Sequence, residues 1–497
     1  LTIEQVVEVA RFRRRVALAP QAVERIRQGR DTVQRVVERR EKVYGVTTGF
    51  GALCDKVVTG DQVKRLQRNL IISHASGVGA PFSQEVVRAM LLLRANTLAS
   101  GNCGARLEVI ETLIAMLNKG VHPLVPQKGS VGASGDLVPS AHLALTLIGE
   151  GQAHYQGQLL PAREAMEKAG IPLVELEAKE GLALINGTQA MTAVGAISIH
   201  DSEIIMKTAD IVAALTIDAL RGGEEPFDPR IHALRPHPGQ LRSAANIRAL
   251  LKDRRNAGNS RVQDAYSLRC IPAVHGASRD SLEYARGVVA IECNAVTDNP
   301  LVFPETQEFL SCGNFHGQPV ALAMDFLSIG LCGIANISER RVERLVNSNL
   351  SEHLPGFLIK EGGLNSGFMI TQYTAAALVS ENKVLAHPAC VDSIPTSANQ
   401  EDHVSMGTIS ARQAQEIASN VTNVLAIEMF CAAQAIDFLD SRQNLGLGVK
   451  PVYEAIRKRI PYLSEDDLMY PHIEVAREMI ETGLILGTAE AHTGKLE

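Results

Sequence analysis

Four segments constrain this chain more than anything else in it, because each is too long and too unbroken to be other than helical. They run roughly from Thr188 to Leu220, Arg279 to Val296, Val320 to Val346 and His403 to Leu439, rich in Ala, Leu, Met and Glu and without a proline. A thirty-residue helix spans about 45 Å. In the last segment Ile417, Val421, Val424 and Leu425 follow the three-and-four spacing of a core-facing stripe. From Val424 to Ile436 the pattern is apolar nearly all round, as in a helix surrounded by others. The chain is therefore predicted to be mainly α, with an elongated bundle of long helices over residues 186–497. The first 185 residues read differently. Shorter helical stretches are broken by glycine-rich loops at Gly45 to Gly51, Gly77 to Gly79 and Gly129 to Gly135, which predicts a smaller mixed domain over 1–185. Glu224 to Gln240, rich in Pro and His, reads as an irregular connection.

Composition narrows the function classes. Of 497 residues, 45% are hydrophobic and 21% charged, the balance of a packed globular protein. Lys plus Arg number 49 against 55 acidic residues, aromatics are 4% and Trp is absent, and no basic run has aromatics interleaved, so nucleic acid is not an expected partner. The basic run Arg11 to Arg15 reads as a solvated helix face. The cysteines, Cys54, Cys103, Cys270, Cys293, Cys312, Cys332, Cys390 and Cys431, never form a C-x-x-C pair, which suits a reducing compartment better than a disulfide framework or a zinc site. No H-E-x-x-H spacing occurs, and no metal is predicted. No secretory leader pattern is visible, and the longest apolar stretches are interrupted by Asp325, His142 or Arg94, so the expectation is a cytoplasmic protein that does not enter the membrane.

The most unusual stretch is Lys128-Gly-Ser-Val-Gly-Ala-Ser-Gly-Asp136. Ser134 is out of G-x-S-x-G register, which disfavours a hydrolase elbow, and no Gly-Lys-Ser/Thr follows to make a phosphate loop. Two readings remain. One is a flexible tight turn. The other is self-cyclisation, in which the amide nitrogen of Gly135 attacks the carbonyl of Ala133 and Ser134 loses water to leave an exocyclic methylidene. Gly135 offers an unhindered nitrogen and a sharply bending backbone, Ala133 adds no bulk at the attacked carbonyl, and Ser134 supplies the β-hydroxyl.

These residues carry a resemblance. Ala133-Ser134-Gly135 within its glycine-rich setting resembles the signature of the aromatic amino acid ammonia-lyases, in which the tripeptide becomes methylidene-imidazolone (MIO). Tyr44-Gly-Val-Thr-Thr-Gly-Phe-Gly51, Ile185-Asn-Gly-Thr-Gln189, Gln263-Asp-Ala-Tyr-Ser-Leu-Arg269, Asp298-Asn-Pro300 and Gly313-Asn-Phe-His316 match in order along the chain. Ser73-His74-Ala75 and Asn399-Gln-Glu-Asp-His-Val-Ser-Met406 are similar to the members that act on histidine. One departure is Ala273, where Gln is common.

The resemblance implies an ammonia-lyase fold and elimination of ammonia from L-histidine to give trans-urocanate. It implies no cofactor beyond the self-made MIO, and a homotetramer whose sites draw on more than one subunit. It implies Tyr44 as the base for the β-proton or as a closing lid, and Asn186 at the MIO carbonyl, where a plain reading makes it a helix cap. Arg269 becomes a clamp on the substrate carboxylate with Gln263 and Tyr266 nearby, and Phe315 packs against the ring. His74 and Glu401 together grip an imidazole, with Glu401 alternatively moving a proton. His275, His316 and His403 are read as structural. A phenylalanine or tyrosine lyase, or an aminomutase, is the rival within this chemistry. A helical scaffold without activity is the rival outside it, and the intact tripeptide with Tyr44, Asn186 and Arg269 argues against that.

Overall fold

The long helices form, with ends set by local chemistry. In the computed structural model, which describes residues 1–53, 55–58, 62–255, 261–440 and 442–497, they are Gln189–Ala219, Ile271–Glu292, Gln318–Val346 and Gly407–Ile436. Cys54 lies outside the described residues; the other seven cysteines are free thiols. The helix expected from Arg279 begins earlier, at Ile271. Pro272 and Gly276 look like breakers in sequence, yet proline at the second helical position costs no hydrogen bond, because that N–H has no partner inside the helix. Gly276 lies where any side chain would collide with the backbone around Gly239. The last helix begins after Met406, whose φ of 56° breaks the right-handed run. Ile417, Val421, Val424 and Leu425 are fully buried, as is every residue from Val424 to Ile436.

Contacts divide the chain into two compact units. The first comprises Leu1–His200, Arg286–Asp325 and Pro388–Arg412, and the second Asp201–Ala285, Phe326–His387 and Gln413–Glu497. A single cut at 185/186 is thus not where contacts divide, because each of the four long helices gives residues to both units. The first unit is mixed. Val78–Pro81 pairs antiparallel with Pro126–Lys128, and Gln152–Tyr155 lies between His122–Pro123 and Gln158–Pro161. The first pairing overlaps Gly77 to Gly79 and ends directly before Gly129, holding the N-terminal flank of the stretch that contains the tripeptide. The Glu224 to Gln240 connection is more regular than predicted, with a helical turn at Pro229–Ala233 and a helix from Pro238.

The second unit secures its helices with buried ion pairs. Arg341 and Glu428 are fully buried and joined at 2.5 Å, and Glu428 also accepts from Thr216 and Ser338. His275, buried as a structural histidine should be, bridges Asp210 at 2.7 Å and Arg341 at 3.4 Å. The helix Gln318–Val346 is long and apolar enough to cross a membrane by composition, with a mean hydropathy of 1.8 in its best window, and 61% of that window is buried in protein, as in a core helix. Leu322, Phe326 and Ile329 form an exposed apolar stripe on it, and Ile370, Tyr373 and Val384 do so on Met369–Leu385.

Arg88 predicts an acid sensitivity in the first unit. Its guanidinium binds the carbonyls of Val9 and Leu117 and lies 3.1 Å from Nε2 of buried His122. Burial, then the Arg88 charge, push this imidazole down to about 4 from an unfolded 6.5. The fold holds the neutral ring, so stability from this group is full above pH 6.5 and falls as the pH drops to about 4, by about 3 kcal/mol. Urea melts of wild type and His122→Gln between pH 7 and 4 should show a shallower acid loss in the variant, and parallel losses would refute the assignment.

Candidate active site

Gly135 has a φ of 69°, and a side chain there would collide with the backbone of Gly187. The contact is a two-sided bracket. Gly187 N donates to the Ser134 carbonyl at 3.2 Å, and Asp136 N donates to the Gly187 carbonyl at 2.7 Å. Asp136 is fully buried and accepts from Ser130 Oγ, Thr408 Oγ1 and Met191 N. On the other side Val131 and Gly132 offer their carbonyls to Met406 N and Ser405 Oγ. The tripeptide is therefore a tightly held turn and not a flexible one.

Ser134 Oγ donates to Glu401 Oε1 at 2.8 Å, and Thr396 Oγ1 donates to Glu401 Oε2 at 2.9 Å. Glu401 stands at the end of an unusual turn, with Ser397, Ala398 and Asn399 all in the left-handed region at φ of 51°, 53° and 65°. Non-glycine residues there cost about 1–2 kcal/mol each. Reciprocal backbone hydrogen bonds between Thr396 and Glu401 close the turn.

A cavity of about 870 Å³ opens over the tripeptide. Tyr44, His74, Ala133, Ser134, Asn186, Phe315 and Glu401 all line it. Tyr44 does not lie in a loose loop. Thr47 and Thr48 bind the backbone of Val43 and Gly45, Gly49 N donates to Lys56 O, and Gly51 N donates to the Tyr44 hydroxyl at 3.2 Å. His74 ends the helix Gln62–His74, with Nδ1 3.1 Å from Ser73 Oγ, leaving Nε2 for a ligand. Burial pushes its pKa below the usual value, only partly offset by the Leu70 carbonyl and the Glu401 charge, so the ring is neutral at pH 7.

Asn186 follows the helix Glu180–Ile185, and its side chain caps neither neighbouring helix. Nδ2 donates to the Asn299 carbonyl at 3.2 Å, while Oδ1 is buried without a protein partner. An orphaned acceptor and a spare Nδ2 hydrogen beside Ser134, together with a glycine that tolerates no side chain, fit an MIO formed from Ala133-Ser134-Gly135. His316 and His403, read from sequence as structural, also line the cavity, their rings stacked with centroids 5.6 Å apart. Their places beside Phe315 and Glu401 in sequence were the available signal.

Gln263, Tyr266 and Arg269 do not line this cavity. They belong to the second unit, where Gln263 and Arg269 line a separate hollow of about 460 Å³. The Arg269 guanidinium lies 4.5 Å over the ring of Tyr266, which is 71% exposed, and Arg269 Nε is buried without a hydrogen bond. Among the described residues no group of three or more His, Cys, Asp or Glu gathers in metal-ligating geometry.

The profile of the aromatic amino acid lyases matches residues 1–458. The chain belongs to the aromatic amino acid lyase family. The lyase is 55% identical over 493 residues to a histidine ammonia-lyase of Alkaliphilus metalliredigens, covering 99% of this chain and 97% of that protein. Among solved structures it superposes on histidine ammonia-lyase from Trypanosoma cruzi with a TM-score of 0.93 at 42% identity, covering 99% of this chain and 94% of that one. A tyrosine aminomutase from Streptomyces globisporus gives a TM-score of 0.96 at 39% identity, covering 100% and 98%. The fold expected from sequence, a mainly α lyase with long bundled helices, is the fold of these structures. The family makes the protein a carbon–nitrogen lyase. Fold alone does not separate histidine lyases from tyrosine aminomutases, so substrate choice has to be read from the cavity wall.

Proposed function

We propose that this lyase eliminates ammonia from L-histidine to give trans-urocanate, using an MIO that it makes from Ala133, Ser134 and Gly135. The observation that carries the reading is the meeting of neutral His74, Glu401 and Ser134 on one cavity wall. Once formed, the MIO supplies an electrophile for the substrate amine or its ring and so eases departure of a poor leaving group. Loss of the Ser134 hydroxyl as water also removes the donor that occupies Glu401 Oε1. That oxygen then takes an N–H of the substrate imidazole, or moves a proton, while His74 pairs with the other ring nitrogen. Tyr44, in its phenolate form with one N–H donor from Gly51 on the oxygen, takes the β-proton and becomes the neutral phenol. Asn186 stands where negative charge develops and Phe315 packs against the ring. Incubation with L-histidine while urocanate absorbance is followed tests the reading. A protein that has lost two waters yet yields no urocanate would refute the substrate.

The carboxylate clamp comes from another copy of the chain. Arg269 is suited to a bidentate grip, yet within one chain it lines another hollow, with the exposed Tyr266 beside it. The exposed stripes on Gln318–Val346 and Met369–Leu385 give a second copy apolar surface to cover. The assembly is a homotetramer with shared sites. Mixing inactive Tyr44→Phe and inactive Arg269→Ala chains under subunit exchange should restore part of the activity, since some mixed sites carry both intact residues. No recovery in verified mixed tetramers would count against sharing.

A further inference from the structure

The connection that carries Asn186 is gripped by one buried cation. Arg94, on the helix Gln84–Leu98, is fully buried. Its Nη1 donates to the carbonyls of Ala183 and of Asn186 itself, both at 2.9 Å. Its Nη2 donates to Gln189 Oε1, and the Gln189 amide is fixed in turn by Thr97 Oγ1 at 3.0 Å and Thr297 Oγ1 at 2.8 Å. One guanidinium thus spans the end of the helix Glu180–Ile185, the turn Asn186-Gly187-Thr188, and the first residue of the helix Gln189–Ala219. The same turn brackets Gly135 through Gly187 and holds the Asn186 amide against the Asn299 carbonyl.

Capping two last-turn carbonyls needs donors, not a charge. A buried guanidinium costs several kcal/mol unless it is compensated, and every direct partner of Arg94 is neutral. Burial pulls it down to about 10, which leaves it protonated at pH 7, with Asp298 and Asp136 acting only at longer range. Positive charge held rigidly behind Asn186 without a direct ion-pair partner suits a site where negative charge develops in the reaction.

We infer that Arg94 is the positioning residue for Asn186, setting through the backbone carbonyl of Asn186 where its amide meets the reacting groups; this rests on the function proposed above for Asn186 and the tripeptide. Arg94→Lys keeps the cation and loses the fork. The variant should fold, lose both waters by intact mass, and bind urocanate with a Kd within about threefold of the parent's, while kcat falls about a hundredfold and KM moves less than about threefold. In an Asn186→Ala background the further loss on adding Arg94→Lys should shrink below about threefold, because the two residues act as one unit. Gln189→Met, which frees one arm of the fork and leaves Arg94 in place, should lower kcat about tenfold with cyclisation and urocanate binding intact, and it decides the matter alone if Arg94→Lys does not fold. A parent-like kcat, a loss confined to KM or to urocanate binding, failure to cyclise, or an undiminished loss beside Asn186→Ala would each overturn the inference. If the parent turns over a different aromatic amino acid, the same comparison on that substrate and its product keeps this test separate from the histidine reading.

Discussion

Ser134→Ala folds as the parent does and turns over L-histidine at least about a thousandfold more slowly. The substitution removes one hydroxyl. In the folded chain that hydroxyl makes a single hydrogen bond, to Glu401, whose net worth is about 1 kcal/mol, so the melting temperature should move by a few degrees at most. The chemical loss is far larger. Alanine has no β-hydroxyl to eliminate, the methylidene cannot form, and without an electrophile the enzyme faces a poor leaving group and a barely acidic β-proton with Tyr44 alone. Intact mass and turnover should be measured on one preparation. The parent should lack two waters relative to its sequence, and the variant should retain at least the one that Ser134 would have lost. Full turnover in a variant that keeps its water would sink the self-made electrophile.

The second large effect is substrate choice. His74 and Glu401 line the cavity, and His74 is held neutral by burial with Nδ1 engaged by Ser73. A phenyl ring entering this wall leaves His74 Nε2 and Glu401 Oε1 without ring partners, which can give discrimination of about four orders of magnitude. Wild type should prefer histidine over phenylalanine and tyrosine by about that factor in kcat/KM. His74→Leu should lower histidine turnover far more than any residual phenylalanine turnover. Glu401→Gln keeps shape while losing charge, and should lower histidine turnover with the mass of the cyclised tripeptide unchanged. A ratio of kcat/KM values untouched by both substitutions would remove the histidine assignment and leave the broader lyase chemistry standing.

Much of this was legible in the order of residues, and the parts that were not have physical reasons. The long helices announce themselves by periodicity, and the stripe from Ile417 to Leu425 lies buried as its spacing demands. The start of Ile271–Glu292 was hidden because Pro272 and Gly276 signal breaks only when their neighbours are unknown; the close approach of Gly239 explains the glycine. Ser134, Glu401, His74, Tyr44, Asn186 and Phe315 could be named from motifs, and the fold brings them to one cavity. Arg94 could not be named. A lone arginine in an apolar helix reads as an interruption, and its partners, three positions around Asn186, are set by tertiary structure alone. Arg269 shows the reverse: its motif is plain in sequence, yet it lines a hollow that shares no residue with that cavity.

The bracket between Gly135 and Gly187 has a consequence for the life history of each molecule. Within Lys128 to Asp136 the Ser130 hydroxyl reaches the Gly135 carbonyl at 3.4 Å, while the shorter bonds that fix the bend come from Gly187, far along the chain. A nascent or misfolded chain therefore carries an ordinary alanine, serine and glycine, harmless to the thiols around it. On the MIO proposed above, only a chain that has closed its interior would acquire the reactive alkene, and being covalent it would persist when that chain later unfolds. The mass deficit would then be a covalent memory: in a fully denatured sample, the fraction of chains lacking two waters should record how many had once reached the native state.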